Sequence, residues 1–246
     1  MKIAVLDIGP FLLDGGSIFG VVPKSLWGKY FEVDRNNNIK LGLNSVLIED
    51  GNRKIIVDAG IPSSSEILKE KLKSLKITCE EITDVVFTHL HYDHCGGAFE
   101  KRYDTVVPVF PNASIYVNEN ELEDALNPDE RTAKFYKSEI VSFISRWPDL
   151  KTFSHSAKLT DNVEVLHAPG HTAGHSVVVA YDDRMHLIAG DMFPTMYHFK
   201  KPHYMTAFDE NLRQNLKIKK YFLEMLSKRK SAVYFYHDSK NPFLTV

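Results

Sequence analysis

The sequence predicts a mixed α/β fold in a single domain that spans residues 1–246. Three observations support this prediction. With 43% apolar and 25% charged residues, the chain can bury a large core beneath a polar surface. Apolar patterns with the periodicity of strands and of helices alternate along it. No internal repeat, low-complexity tract or Gly/Ser-rich linker divides it into separate folding units.

The first predicted element is an N-terminal strand. Residues 1–16 begin with a short apolar run that Asp7, Gly9 and Pro10 interrupt, without a basic leader or a small-residue cleavage site. No apolar run approaches the ~20 residues that a membrane-spanning helix needs, so we expect no membrane insertion. The chain has two cysteines, and without an export signal they are expected to be reduced thiols. The expected location is the cytoplasm.

A hairpin and a helix are predicted next. Residues 43–60 contain two β-rich stretches on either side of Asp50-Gly51-Asn52, a turn sequence that favours an antiparallel pair. After Pro62, residues 63–77 place apolar side chains at helical spacing and predict an amphipathic helix.

The remaining elements follow the same patterns. Residues 78–81 have the form of a capping box, and residues 84–88 then form a β-branched run, which predicts a buried strand that ends directly before His89. Later strands are predicted at 114–117, 163–166, 176–181, 185–189 and 232–236, and helices at 118–146 and 209–229.

The segment after this buried strand is unusually rich in metal-ligating side chains. It places His89, His91, Asp93 and His94 within six positions, followed by the glycine pair 96–97. His89 and His91 can point the same way from extended backbone, while Asp93 and His94 in the following turn can point elsewhere. One loop could therefore contribute ligands to two neighbouring metal ions.

Three later segments place a potential ligand where a β-rich stretch ends. These ligands are His171, Asp191 and His237. Because loops at strand ends are held by a rigid scaffold, we expect these side chains to converge with the histidine-rich loop. Imidazole and carboxylate ligands suit zinc, although iron and manganese also remain open because geometry selects among divalent metals. Two aspartates and a hydroxide would leave about one net positive charge on two dications.

At these residues the chain resembles the metallo-β-lactamase-fold hydrolases, whose pattern His-x-His-x-Asp-His followed by His, Asp and His is met in full and in order. The likeness extends from about Asn44 to His237 and implies a four-layer αββα sandwich with a dinuclear metal site at the strand ends. Asp58 resembles the aspartate that this family places below the metal loop. The resemblance assigns His89, His91 and His171 to the first metal, Asp93, His94 and His237 to the second, and Asp191 as the bridge between them.

A narrower resemblance concerns residues 14–27, which are similar to the N-terminal block of quorum-quenching N-acyl-homoserine-lactone lactonases. A pocket for an acyl chain needs apolar walls, and the N-terminal segment supplies candidates at Phe11, Ile18, Phe19, Val21 and Trp27. The chain departs from the best-known lactonases at Pro194, where they place a tyrosine. Tyr197 and His198 are candidates to replace that tyrosine and to contact substrate.

The resemblance implies a metal-dependent hydrolase that opens a lactone or ester by attack of a metal-bridging hydroxide, with N-acyl-homoserine lactone as the expected substrate. Asp93 is the expected catalytic residue, because it can orient the hydroxide and pass a proton to the leaving oxygen. Phosphodiester or thioester hydrolysis on the same fold, and iron-dependent oxygen chemistry outside hydrolysis, remain alternatives.

Other expectations concern partners and the remaining histidines. With a net charge of −2, the chain favours a small-molecule substrate over nucleic acid. The helices predicted over 118–146 are candidates for a lid or a homodimer contact. His175 is a candidate for hydrogen bonding behind the metal ligands. No role is assigned to the other histidines, which are His155, His167, His186 and His203.

Overall fold

Two six-stranded sheets form the centre of the fold. The computed structural model describes residues 1–103 and 105–246. The first sheet contains, in spatial order, β1 (Lys2–Asp14), β2 (Asn38–Asp50), β3 (Arg53–Val57), β4 (Asp84–Val86), β7 (Ser114–Asn118) and β8 (Leu150–Phe153). The β1–β2–β3 pairs are antiparallel, whereas β3, β4, β7 and β8 run parallel.

The second sheet is mostly antiparallel and contains a parallel pair one strand in from an edge. In spatial order it contains β14 (Phe243–Thr245), β13 (Ser231–Tyr234), β12 (Met185–Ile188), β11 (Ser176–Tyr181), β10 (Val163–His167) and β9 (Ser156–Lys158). Strands β12 and β13 form the parallel pair. A separate small hairpin is made by β5 (Phe99–Arg102) and β6 (Thr105–Pro108).

α-Helices flank the sheets, and several of them pack on an outer sheet face. They are α1 (Gly15–Phe19), α2 (Lys24–Trp27), α3 (Ser65–Ser74), α4 (Tyr92–Cys95), α5 (Glu119–Leu126), α6 (Ser138–Ile144), α7 (Met196–Lys200) and α8 (Leu212–Ser227). Helix α8 covers the second sheet through Phe222 and Leu226, and α3 covers the first through Leu68 and Leu72.

A third core lies between the two sheets and explains their stacking. Val46 and Val57 of the first sheet meet Val165 and Val178 of the second in one cluster of buried side chains. Because the inner strands of these sheets present apolar residues on both faces, they can pack against the opposite sheet and against helices at the same time. The resulting order of layers is helix, sheet, sheet, helix, and the predicted αββα fold is confirmed.

Most predicted elements are present. The hairpin turns at Gly51, which has a φ of 60°, and the capping box at Thr78 and Glu81 is formed by both of its hydrogen bonds. The helices expected over 118–146 are α5 and α6, with a break between them, because α5 ends at Leu126 and α6 begins at Ser138. Pro128 explains the interruption, since proline cannot continue a helix whose backbone N–H must donate.

In the part of the chain that the structure describes, no helix has both the length and the apolar character needed to cross a bilayer. The expectation of one domain over residues 1–246 stays a prediction.

Candidate metal centre and active site

Tight backbone packing positions the histidine-rich loop after β4. A short helix from Tyr92 to Cys95 turns the chain, and the backbone N–H of Gly97 then donates to the carbonyl of Gly60 at 2.8 Å. A Cβ at Gly97 would lie 2.0 Å from the carbonyl oxygen of Ala59, so only glycine fits here. The loop is thereby held against the end of β3.

The other ligand-bearing loops reach the same point from the second sheet. His171 follows β10, Asp191 follows β12 and His237 follows β13. The amide of Asn44 braces the last of these loops, because its Nδ2 donates to the carbonyl oxygens on both sides of His237, at Phe235 and Asp238, at 2.9 Å each. Side chains separated by almost 150 residues therefore meet at one end of the sandwich.

Asp191 lies between two groups of imidazoles. Its Oδ1 is 3.4 Å from the Nε2 atoms of both His94 and His237, and its Oδ2 is 3.4 Å from Nε2 of His171. The two oxygens of one carboxylate thus face different partners, which is the arrangement expected of a bridging ligand.

The predicted ligands fall into three overlapping groups. Within each group, the ligand atoms all lie within 4.8 Å of one another. The groups are His89, His91 and His171; His89, His94 and Asp191; and Asp93, His94 and His237. Within the first, His89 Nε2 and His91 Nδ1 are 3.0 Å apart. Within the third, Asp93 Oδ2 is 3.5 Å from His237 Nε2 and 4.0 Å from His94 Nε2. The geometry brings together all seven side chains that the sequence singled out.

Hydrogen bonds fix the orientation of three of these imidazoles. The Nδ1–H of His94 donates to Asp58 Oδ2 at 2.9 Å, that of His171 to Asp209 Oδ1 at 2.8 Å, and that of His237 to the carbonyl of Gly42 at 3.1 Å. An oxygen partner at Nδ1 places the proton there and leaves a lone pair on Nε2, the atom that faces the cluster. Each ring is therefore prepared to bind a cation.

Burial and neighbouring charges shift the pKa values of several side chains in the cluster. Burial, together with the neighbouring imidazoles, lowers the pKa of His89 and His91 well below the usual histidine value. Burial opposes charge on His94 as well, but the carboxylates of Asp191 and Asp58 raise its pKa well above that value. Burial would raise the pKa of Asp191, yet the adjacent His237 and His94 hold it well below its usual range. The site thus combines neutral imidazoles at His89 and His91 with an ionised Asp191, whose charge favours a proton on His94 when no cation competes for it.

Unpartnered polar atoms show that the cluster fits metal ions. Among the described residues, Nε2 of His91, His94 and His171 and Oδ1 of Asp191 are buried without a hydrogen-bond partner. A buried polar atom without a partner typically costs about 1–3 kcal/mol, so several in one place need an explanation. Two divalent ions would satisfy them, and the ligand types suit zinc.

A small cavity of about 80 Å³ opens beside the cluster. Its wall contains the candidate ligands His91, Asp93, His171, Asp191 and His237 together with Phe11, Leu13, Ile18, Tyr92, Phe135 and Phe208. The ring of Phe11 stacks on that of His237 with 5.8 Å between centroids. An apolar wall next to a polar cluster suits a substrate with an acyl part and a reactive carbonyl.

Two of the predicted substrate residues lie elsewhere. Phe19 and Trp27 are 0% and 1% exposed and stack on each other in a core below the cavity, so neither forms its wall. The reason is local, because the short helix α1 turns Ile18 toward the cavity and the neighbouring Phe19 toward the core. Gly15 packs directly under the Trp27 ring and permits this arrangement.

The two candidates to replace the tyrosine absent at Pro194 also lie outside the cavity wall. Tyr197 stacks on Tyr30 at 4.0 Å. His198 is fully buried, its Nε2–H donates to the carbonyl of Ile18 at 3.0 Å, and burial lowers its pKa to about 3. His198 therefore lies behind the cavity wall, where it anchors the helix that presents Ile18 to the cavity.

Comparison with known proteins agrees with this geometry. A sequence model described as the metallo-beta-lactamase superfamily matches residues 40–235. The chain belongs to this superfamily. An N-acyl homoserine lactonase from a Bacillus species is 26% identical over 219 residues, covering 78% of this chain and 79% of that protein. A similar lactonase from Bacillus cereus is 25% identical over 229 residues, covering 82% of this chain and 83% of that protein.

Solved structures give the same fold. A probable metal-dependent hydrolase from Staphylococcus aureus has a TM-score of 0.89 and 26% identity, covering 99% of this chain and 91% of that chain. A dizinc quorum-quenching lactonase, solved with its product N-hexanoyl-L-homoserine, has a TM-score of 0.82 and 21% identity, covering 98% of this chain and 88% of that chain. The chain is thus a metallo-β-lactamase-fold hydrolase related to lactonases.

Three supporting residues surround the site of this superfamily member. His175 accepts from the backbone N–H of Asp191 at 3.0 Å and donates from Nδ1 to the carbonyl of Ala168, so it positions the bridging candidate as a neutral ring. Burial lowers its pKa to about 3, which agrees with that state. The sequence indicated His175 but not Asp209 or Glu121, which lie outside any motif.

Glu121 joins two of the ligand-bearing loops. Its Oε1 accepts from the backbone N–H of Leu90 at 2.8 Å, and its Oε2 accepts from the hydroxyl of Thr172. The hydroxyl of Tyr136 contacts the same carboxylate at 3.3 Å. Burial raises the pKa of Glu121 to about 7. The side chain thus connects the loop of His89 and His91 with the loop of His171.

Glu121→Ala is expected to lower the free energy of unfolding of the metal-free protein by about 3 kcal/mol, because it leaves the buried Leu90 N–H without an acceptor and opens a cavity. Glu121→Gln keeps an oxygen acceptor and should cost about 1 kcal/mol or less. Urea unfolding followed by circular dichroism measures both. Glu123→Ala on the exposed face of the same helix is the control, and equal effects of the Ala variants at 121 and 123 would contradict the connecting role.

Proposed function

We propose that the protein is a dinuclear metal-dependent hydrolase that opens a lactone or carboxylic ester, with N-acyl-homoserine lactone as its substrate. In this proposal His89, His91 and His171 hold one metal ion, Asp93, His94 and His237 hold the other, and Asp191 bridges them. The metal is proposed to be zinc, and quorum quenching is the proposed role. A cytoplasmic location and a homodimer stay predictions.

The observation that carries the proposal is the position of Asp191. Its two oxygens lie at 3.4 Å from imidazoles of different groups, and the same residue lines a cavity whose other wall is apolar. A reacting carbonyl placed at Asp191 would therefore have an acyl group against Phe11 and Ile18. The lactonases among the relatives support the choice of substrate.

Bound divalent ions would supply a lowered pKa for water and a Lewis acid for the carbonyl oxygen. The residues of the chain would do the rest. Asp93 lines the cavity beside His237 and His94 and is placed to accept the proton of the attacking water. As the new carbon–oxygen bond forms and the ring carbon–oxygen bond breaks, Asp93 would return that proton to the leaving alkoxide.

Metal removal tests the proposal directly. The protein is stripped with a chelator, reloaded separately with zinc, manganese or ferrous iron, and assayed for acid release from N-butanoyl- and N-decanoyl-homoserine lactone. We expect ring opening in a reloaded form and none above the buffer rate in the stripped form. Zinc is favoured if it restores turnover without a visible absorption band.

Two controls distinguish lactone opening from other hydrolytic activities and from unspecific effects of substitution. A phosphodiester and a thioester are offered to the same preparation, and faster turnover of either would replace the lactone as substrate. The variant Tyr197→Phe changes a phenol outside the cavity and should turn over at the rate of the unaltered protein. If no reloaded form opens either lactone faster than buffer does, the proposed activity is wrong.

A further inference from the structure

Phe135 and Phe208 form an aromatic part of the cavity wall, which we call the roof. From this roof we infer that the enzyme selects short acyl groups and that the two rings set the maximum length of the acyl chain. This inference rests on the proposed function, because it names the subset of lactones or esters that the same site would accept.

The two rings form one part of the cavity wall, next to His91. Both Phe135 and Phe208 line its wall. Their centroids are 5.2 Å apart and their planes meet at 85°, an edge-to-face contact of the kind that stabilises aromatic pairs. Phe135 also contacts the ring of His91 at 5.1 Å. The roof therefore lies directly beside the first group of candidate metal ligands.

The roof is tied to its surroundings by hydrogen bonds. The guanidinium Nη2 of Arg131 donates to the carbonyl of Ala207 at 2.9 Å and contacts that of Asp209 at 3.5 Å. The backbone N–H of Ala207 in turn donates to the carbonyl of Ser17 at 2.8 Å. Three segments of the chain thus meet at the roof. Because Asp209 also holds His171, displacement of Phe208 would disturb a candidate ligand.

The remaining space is small. Pockets that enclose a drug-sized ligand typically measure about 300–1,000 Å³, whereas this cavity measures about 80 Å³. An acyl group of a few carbons fits beneath the rings, while a longer chain must leave the cavity and expose its methylenes to water. Since burying one methylene is worth about fourfold in affinity, a chain that cannot be buried gains little from its length.

Enlarging the roof tests the inference. Phe135→Ala and Phe208→Ala, with Phe208→Leu as a milder second change, are assayed with homoserine lactones bearing butanoyl and decanoyl groups. We expect the unaltered protein to prefer the butanoyl substrate in kcat/KM. Each Ala variant should raise the decanoyl-to-butanoyl ratio by about tenfold, because it opens a path along which methylenes can be buried. Phe243→Ala, a half-exposed phenylalanine on β14, is the matched control and should leave the ratio unchanged.

A binding measurement separates failure of this inference from failure of the proposed function. The affinities of butanoate and decanoate for the zinc-loaded protein are measured by calorimetry for the same variants, and the decanoate-to-butanoate ratio should rise in the same way even if no lactone is opened. If no lactone is opened but the binding ratios change as expected, only the proposed activity is contradicted and the inferred size limit is supported. A preference of the unaltered protein for decanoyl chains, ratios within twofold of the control, or absence of binding by either acid would overturn the size limit.

Discussion

Asp191→Asn is expected to reduce kcat/KM for lactone opening by about 10³-fold or more and to lower the metal content from two ions per chain to one or none. The substitution replaces one of the two oxygens that face His171 on one side and His94 and His237 on the other. An amide nitrogen at that place has no available lone pair with which to bind a cation, and the charge that balances two dications is lost. Metal analysis after gel filtration and a lactone titration measure both effects.

The control for this prediction is Asp161→Asn, which removes a carboxylate from an exposed turn, where it pairs with Lys158. It should retain full metal content and activity. A folded Asp191→Asn protein with two ions per chain and more than a tenth of the original activity would show that Asp191 is not the bridge.

Much of this architecture could be predicted because its signals are local. The turn at Gly51, the capping box at Thr78 and the β-branched run before His89 each specify their structure within a few residues. The motif from His89 to His94 is equally local. Its convergence with the later ligands could be anticipated, because strand ends are rigid points from which loops project to a common edge.

The lining of the cavity and the residues that support the metal ligands depend on contacts between distant segments, which local sequence patterns do not predict. Whether Ile18 or Phe19 faces the cavity is decided by a five-residue helix, which is too short for its apolar periodicity to be informative. Glu121 lies in an acidic run that has the composition of a solvated helix face, yet it is fully buried. Its burial follows from the packing of Gly174 against it, since a Cβ there would lie 2.1 Å from the Glu121 backbone nitrogen.

The role of Asp209 likewise could not be predicted from the sequence, because the residue lies outside any motif. Its replacement has the second of the two largest expected effects. We expect Asp209→Ala to weaken zinc binding at the His171 group by about 10- to 100-fold, the usual range when the partner of a ligating imidazole is removed. In the structure Asp209 accepts from Nδ1 of His171 at 2.8 Å and from the backbone N–H and the hydroxyl of Thr206 at 3.0 Å each. Without it the ring can rotate and change tautomer.

Competition with a chromogenic chelator measures this affinity independently of any turnover. Asp209→Asn retains an oxygen that can accept from Nδ1 and should recover part of the lost affinity, whereas a purely structural role would give both variants the same value. The chain offers a matched control in Asp182, whose Oδ1 contacts Nε2 of His186 at 3.0 Å outside the metal cluster. Asp182→Ala removes the same kind of contact and should leave zinc affinity unaltered. Equal weakening by the Ala variants at 182 and 209 would mean that general destabilisation, and not the orientation of His171, accounts for the loss.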